Sequence, residues 1–265
     1  MNREAIDTEP VLSHEQIEQF ARDGYARVER AFDPGEAARI VDRLLELTEV
    51  DPHDRSTWTK ANLFVEHTRL HDRVMPELYT LRTQAAFDQL LGAGRWEPLQ
   101  YPGTLLGRLP GFDQPPWDQI SYGHIDGTHF HHHVSSREQG LIGLFIYTDM
   151  VPEGGGTWVR VGSHHRTARI LADAEPAGLS AGEICKAARQ ASMDLPVVEL
   201  IGNAGDLLLM HPFVFHDSSK NLSDRIRVVS NIAIALHEPM CFDRADKAEL
   251  SVVERVIRDS IAAGD

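Results

Sequence analysis

The stretch GDLLLMHPFVFHDSSKNLSDRIRVVSNIAIAL, residues 205–236, decides the fold. A strongly apolar strand runs from Leu207 into His216. A polar segment rich in Ser, Asn and Asp follows, and a second apolar strand opens at Arg227. The same punctuation continues upstream. LQYPGTLLGRL (99–109), QISYGHID (119–126), GLIGLFIYTDMV (140–151), TWVRVGSHH (157–165) and VVELIGNAG (197–205) read as short strands, with PEGGG (152–156) as a turn. AGEICKAARQA (181–191) interrupts them as a helix.

Before residue 95 the pattern is helical. LSHEQIEQFARDGYARVERAF (12–32) predicts a helix capped by Ser13, with Gln16 returning the bond. Asp23-Gly24 stops that helix, and an alternating strand follows. DPGEAARIVDRLLELTEV (33–50) predicts a second helix with Ile40, Leu44 and Leu47 on one stripe. The stretch 51–75, with Trp58, Phe64, His67 and His71, is polar and irregular. One helix is predicted over 75–94 and an amphipathic one over 244–264. Helices followed by many short strands point to a barrel or two-sheet roll backed by helices. There is no linker and no repeat. The expectation is one domain over 1–265, with 1–12 as a flexible tail.

The formal charge is −14, from 26 basic and 40 acidic residues, and no basic cluster is present. A phosphate backbone or an anionic membrane requires clustered Lys and Arg, so neither is an expected partner. No apolar run reaches the length that spans a bilayer. The start, MNREAIDTEP, lacks the order of a signal peptide, and the two cysteines form no C-x-x-C pair. A reduced cytoplasmic protein acting on a small molecule is expected.

Two short patterns carry chemistry. In a strand, residues i and i+2 share a face, so YGHIDGTHF (122–130) projects His124 and Asp126 together. With a distant second histidine they make the two-histidine, one-carboxylate set that suits non-haem Fe(II) and leaves metal positions open. Taken alone, His-x-Asp in a chain with 14 histidines equally describes a core or solvated histidine beside an ordinary acid. His216 lies 90 residues beyond Asp126 and Arg227 eleven beyond His216. Pairing of those two strands would bring Arg227 to the pocket, where its planar fork suits a carboxylate. Arg225 competes with Arg227, and His211 competes with His216.

These residues resemble the phytanoyl-CoA dioxygenase (PhyH-like) family over about residues 13–235. LSHEQIEQFARDGYARVERAFDPGE looks like its entry segment, and His124-Ile125-Asp126 its His-x-Asp pair. EGGGTWVRVGSHH (153–165) resembles its Asn-Gly-Pro … Pro-Gly-Ser-His segment. GDLLLMHPFVFHDSSKNLSDRIR resembles its closing His … Arg segment. The resemblance implies a mainly β double-stranded β-helix (jelly roll, cupin-like) backed by helices, with Fe(II), 2-oxoglutarate and O2. It implies His124, Asp126 and His216 as metal ligands. It also implies Arg227 and Ser218 on the distal carboxylate of 2-oxoglutarate, and Trp158 near the co-substrate.

Gly154 to Gly156 depart from the family's Asn-Gly-Pro, and Val161 from its proline. Both departures alter a turn rather than the ligands. His129, or His131 to His133, is expected at the substrate mouth, and Arg160 or Arg108 on a substrate carboxylate. The implied activity is hydroxylation, desaturation or cyclisation of a polar metabolite or natural-product intermediate, with release of succinate and carbon dioxide. A carboxylate at position 126 disfavours halogenation. The alternatives are a cupin-like metalloenzyme that does not use 2-oxoglutarate and a non-catalytic jelly-roll binder.

Overall fold

The computed structural model describes residues 10–66, 69, 75–118 and 122–263. The N-terminal entry forms as the sequence predicts. Helix α1 (His14–Asp23) carries a complete capping box between Ser13 and Gln16, and Gly24 ends it at φ 90°. That left-handed conformation favours glycine. Strand β1 (Tyr25–Val28) is shorter than expected, and α2 (Pro34–Thr48) starts on the Asp33 side chain.

Strand β2 (Asn62–Val65) takes Phe64 out of the irregular stretch, while His67 and His71 lie outside the described residues. The single helix expected over 75–94 is two, α3 (Met75–Leu78) and α4 (Leu81–Leu91). Thr80 divides them: its hydroxyl accepts from the Thr83 amide at 3.1 Å and donates to the Ala31 carbonyl at 2.6 Å. A side chain bonding its own neighbourhood competes with helix continuation.

The remaining strands are β3 (Thr104–Arg108), β4 (Leu141–Ile146), β5 (Thr157–Arg160), β6 (Val197–Leu200), β7 (Leu207–Met210), β8 (His216–Ser218) and β9 (Arg227–Ile234). Helices α5 (Ser163–Asp173) and α6 (Ala181–Ser192) follow β5, and α7 (Val252–Ala262) comes last. One sheet has the order β1-β7-β4-β9-β3-β2 and the other β6-β5-β8, all antiparallel.

Side chains alternate across the strands, as the pleat requires. Ile142, Leu144, Ile146, Leu208, Met210 and Val229 meet Val159 and Leu200 of the small sheet in one apolar layer. Their neighbours Phe145, Leu207, Leu209 and Val228 face the helices, against residues such as Leu44 and Phe87. This is the expected jelly roll backed by helices.

Three predicted strands need correction. QISYGHID forms no strand among its described residues; His124 makes only an isolated antiparallel bridge to His216. TWVRVGSHH ends at Arg160, because Gly162 at φ 78° turns the chain into α5, a helix the sequence did not announce. The apolar run into His216 is two strands in different sheets, β7 and β8, joined by a crossing at 211–215. Consequently β8 and β9 are not partners. The closing helix also begins later than expected, on the Ser251 capping box. Among the described residues no helix is long and apolar enough to cross a membrane.

Helix α7 is tied to the segment after α4 through Glu254, whose side chain is almost wholly buried. It pairs with Arg95 and accepts from the Cys241 and Ser251 amides at 2.9 Å each. Burial pushes this carboxyl up, but Arg95 and the two amides outweigh it and hold it at about 2. A depressed carboxyl stabilises fully above the unfolded value of about 4.3 and ceases to do so as pH falls through the folded one. Glu254→Ala leaves Arg95 without its partner and is expected to cost about 3 kcal/mol. That lowers Tm by roughly 6–12 °C at pH 7. In thermal melts the gap from wild type should shrink between pH 4.5 and pH 2.

Candidate metal centre and its cavity

His124, Asp126 and His216 converge, with one ligand atom from each lying within 4.8 Å of the others. His124 Nε2 is 3.0 Å from Asp126 Oδ1, and His216 Nε2 is 3.7 Å from Asp126 Oδ2. The convergence comes from the backbone. The His124 amide donates to the His216 carbonyl at 2.9 Å, and the His216 amide returns the bond at 3.1 Å. Directly opposite residues of an antiparallel bridge present their side chains together, and the two rings lie 4.5 Å apart. Gly123 permits this approach, since a Cβ there would fall 2.4 Å from the Phe215 ring.

The donor set fits a divalent cation. His216 is 3 % exposed, and its Nδ1–H donates to the Val214 carbonyl at 3.0 Å. This fixes the tautomer with a lone pair on Nε2, and that buried atom has no hydrogen-bond partner. Burial holds the His216 imidazole below its usual pKa. Burial also pushes the Asp126 carboxyl up, but the two imidazoles and the Asn231 amide outweigh it and keep it ionised well below the carboxylate range. A neutral buried imidazole and an ionised carboxylate are the forms in which these groups ligate metal.

Asn231 belongs to none of the sequence motifs. Its Nδ2 donates to Asp126 Oδ2 at 2.9 Å. Asn231 lies four residues after Arg227 on β9, on the same face, so it becomes legible only once the faces of that strand are known.

The cluster opens into a cavity of about 940 Å³. Arg227, Ser218 and His129 line it as the sequence reading expects, and Thr157 joins them. Arg227 reaches it by a different route from the one predicted. It lies on β9 opposite Arg108 of β3 and faces inward by strand parity, with no pairing to β8. It is 3 % exposed. Its Nε donates to the Gly155 carbonyl at 2.5 Å and its Nη1 to the Leu106 carbonyl at 3.2 Å. Burial, with Arg108 beside it, lowers its pKa to about 10, so it remains a cation at neutral pH. Among the described residues it forms no ion pair with a carboxylate within 4.0 Å. Arg225, its competitor, is exposed on the turn before β9.

Four expectations are corrected. Trp158 is fully buried on the opposite face of β5 from Thr157, packs on Phe215 with ring centroids 6.0 Å apart, and does not line the cavity. Arg160, also on that opposite face, donates to the carbonyls of Ser192, Met193 and Leu195 at the end of α6. Arg108 does line the cavity but is bonded to Asp113 at 2.8 Å. Of the histidine run only His129 reaches the mouth. His131 meets the Ala177 carbonyl and His133 the Glu175 carboxylate, and the His132 backbone bridges Leu179, so these three fasten their loop to residues 175–179, while the His132 ring bonds the Gly127 carbonyl within the loop. His211 points away from the centre, into a buried stack with His164.

A profile of the phytanoyl-CoA dioxygenase (PhyH) family matches residues 20–229. No curated protein is detectably similar in sequence. Several solved structures share the fold. The epimerase SnoN, in complex with Fe3+, alpha-ketoglutarate and nogalamycin RO, is 19% identical with a TM-score of 0.54, over 84% of this chain and 82% of that one. HygX from Streptomyces hygroscopicus, with nickel and 2-oxoglutarate bound, is 17% identical with a TM-score of 0.53, over 84% and 87%. EctD from S. alaskensis, in its apoform, is 20% identical with a TM-score of 0.55, over 94% and 89%. With its jelly roll, its His–Asp–His cluster and a profile match over most of its length, this chain belongs to the phytanoyl-CoA dioxygenase family of non-haem iron, 2-oxoglutarate-dependent dioxygenases.

Proposed function

We propose that the chain works as one catalytic domain in which His124, Asp126 and His216 hold Fe(II), and Arg227 with Ser218 holds the distal carboxylate of 2-oxoglutarate. Its product is an oxidised small molecule of natural-product type. One observation carries this reading: a buried arginine that has no carboxylate within 4.0 Å among the described residues opens into the same cavity as the metal cluster. A cupin-like enzyme that does not use 2-oxoglutarate has no need of that cation. Burying an unpaired charge is costly, and an anionic ligand removes the cost. Arg227 and Asn231 stand four residues apart on β9, roughly 13 Å along the strand.

When bound, Fe(II) with 2-oxoglutarate and O2 supplies a hydrogen-abstracting oxidant, and the co-substrate leaves as succinate and carbon dioxide. The protein's own groups orient and shield. The Val214 carbonyl sets the His216 tautomer, and Asn231 fixes which Asp126 oxygen faces the centre. The Gly155 and Leu106 carbonyls hold the Arg227 fork, while Leu144 and Ile125 wall the cavity. Asp126 fills the third protein position, which favours hydroxylation, desaturation or ring closure over halogenation. SnoN and HygX have been solved with nogalamycin RO and hygromycin B bound, respectively, which supports a natural-product intermediate here. The free thiols Cys185 and Cys241 accord with a reducing, cytoplasmic setting.

Thermal denaturation with Mn(II) tests the assignment, because a ligand of the native state raises Tm. Mn(II) should raise Tm, and 2-oxoglutarate should raise it further only when Mn(II) is present. Asp126→Ala should abolish both steps. Arg227→Ala should keep the Mn(II) step and weaken 2-oxoglutarate binding roughly 10- to 100-fold, the worth of a charge-assisted pair. An unchanged 2-oxoglutarate step in Arg227→Ala would refute the assignment.

Asn231→Ala should weaken Mn(II) roughly 10- to 100-fold in a direct titration, as loss of a ligand's supporting bond does. Unaltered Mn(II) affinity would show that Asp126 needs no such support.

A further inference from the structure

Most aromatic side chains in this protein are buried or half-buried. Four are exposed: Phe64, Tyr101, Phe112 and Tyr122. Phe64 and Tyr122, 65 % and 73 % exposed, line the metal-centre cavity, where half-buried Trp117 joins them. Tyr101 lines a second cavity of about 470 Å³, which shares Thr104, His129, Asn231 and Ala233 with the first. Scattered surface aromatics need no explanation, but exposed rings gathered around one opening mark a binding surface.

Strand parity explains the placement of Phe64. It pairs with Leu106, which pairs with Val229, so it continues the inward-facing row of the large sheet. The sheet order places β2 at the edge, and Phe64 remains open where Leu106 and Val229 are covered by the small sheet. Tyr122 is steadied from α6, where the Arg189 guanidinium lies 5.9 Å from its ring centroid.

The charges of the two arms matter equally. In the larger arm Arg108 is bonded to Asp113, Lys220 donates to the Gln114 carbonyl, and Arg227 is assigned above to 2-oxoglutarate. In the smaller arm Arg137 lies 3.6 Å from Glu97, and Glu138 adds a further carboxylate. Among the described residues lining the two arms, a polyanionic substrate finds few cations to meet it.

We propose that the substrate is an extended, neutral or cationic molecule with a flat unsaturated ring face. The ring stacks among Phe64, Trp117 and Tyr122, and the rest of the molecule runs past His129 into the smaller arm. The proposal rests on the preceding site reading and narrows its substrate class. A cavity of this size holds a drug-sized ligand, and a compact polar metabolite would leave its aromatic wall wet. Aromatic faces favour offset or edge contacts with another ring system.

The test is calorimetric titration of the full chain, loaded with Mn(II) and 2-oxoglutarate, with three probes: neutral, flat 2,7-dihydroxynaphthalene; compact L-proline; and polyanionic coenzyme A. Saturable binding of the naphthalene alone is expected. Phe64→Ala and Tyr122→Ala should each weaken it about 3- to 10-fold. Leu81→Ala, which removes an exposed apolar side chain on α4 outside both cavities, should not weaken it. Naphthalene binding that is absent, or indifferent to both aromatic substitutions, overturns the proposal, as does tighter binding of proline or coenzyme A. The Tm step given by 2-oxoglutarate is read in the same samples. If that step is present while the naphthalene result fails, only the substrate class is wrong. If the step is missing, the site reading beneath it is wrong.

Discussion

Two reciprocal backbone hydrogen bonds, between the amides and carbonyls of His124 and His216, hold the centre of this protein together. They tie the loop that carries His124 and Asp126 to the strand that carries His216. They join segments 90 residues apart and, together with the Asn231–Asp126 bond, place one ligand atom of each of the three side chains within 4.8 Å of the others. The bridge also sets the demand at Gly123, where any side chain would strike the Phe215 and Trp158 rings. Trp158 therefore bears on the site from behind, as packing beneath the ligand loop.

The rest of the cavity follows from the two-residue period of the large sheet. On β9, Arg227, Asn231 and Ala233 face the cavity and Val229 the inter-sheet core, while Val228, Ile232 and Ile234 face the helices. One strand thus supplies the candidate anion-binding cation and the amide that orients the candidate metal-binding carboxylate. Both are set on a rigid element with neighbours on either side. Sites on such elements hold their geometry better than sites on loops. The loop contributes His124 and Asp126, and it is the part that requires the extra bridge.

The sequence carried the architecture well where the signal was local. Capping at Ser13, the stop at Gly24 and the stripe of α2 depend on neighbours a few residues away. Pairing at a distance is less legible. The run 207–216 reads as one apolar strand, yet the chain leaves the large sheet at His211 and enters the small one, a change that hydrophobicity does not encode. Arg227 lines the cavity through its place on β9 opposite β3, whereas closeness in sequence suggests a pairing with β8 that does not form. Helix α5 was hidden because its first residues, Ser163 to His165, follow a clear strand and look like its end. Residue type suggests Arg160 for the site, and the family resemblance suggests Trp158. The parity of β5, with Thr157 facing in, puts both on the other face. Asn231 and Phe64 were overlooked because single polar or aromatic residues carry no signature until their strand faces are known.

The central claim is that one cavity binds a metal at His124, Asp126 and His216 and 2-oxoglutarate through that metal and Arg227. Visible absorption under anaerobic conditions, with Fe(II) and then 2-oxoglutarate added, tests it most directly. The claim predicts a weak visible band of the iron chelate in wild type, lost in Asp126→Ala. In Arg227→Ala the band should appear only at much higher 2-oxoglutarate. A wild-type protein that binds Fe(II) but gives no band at saturating 2-oxoglutarate would contradict it.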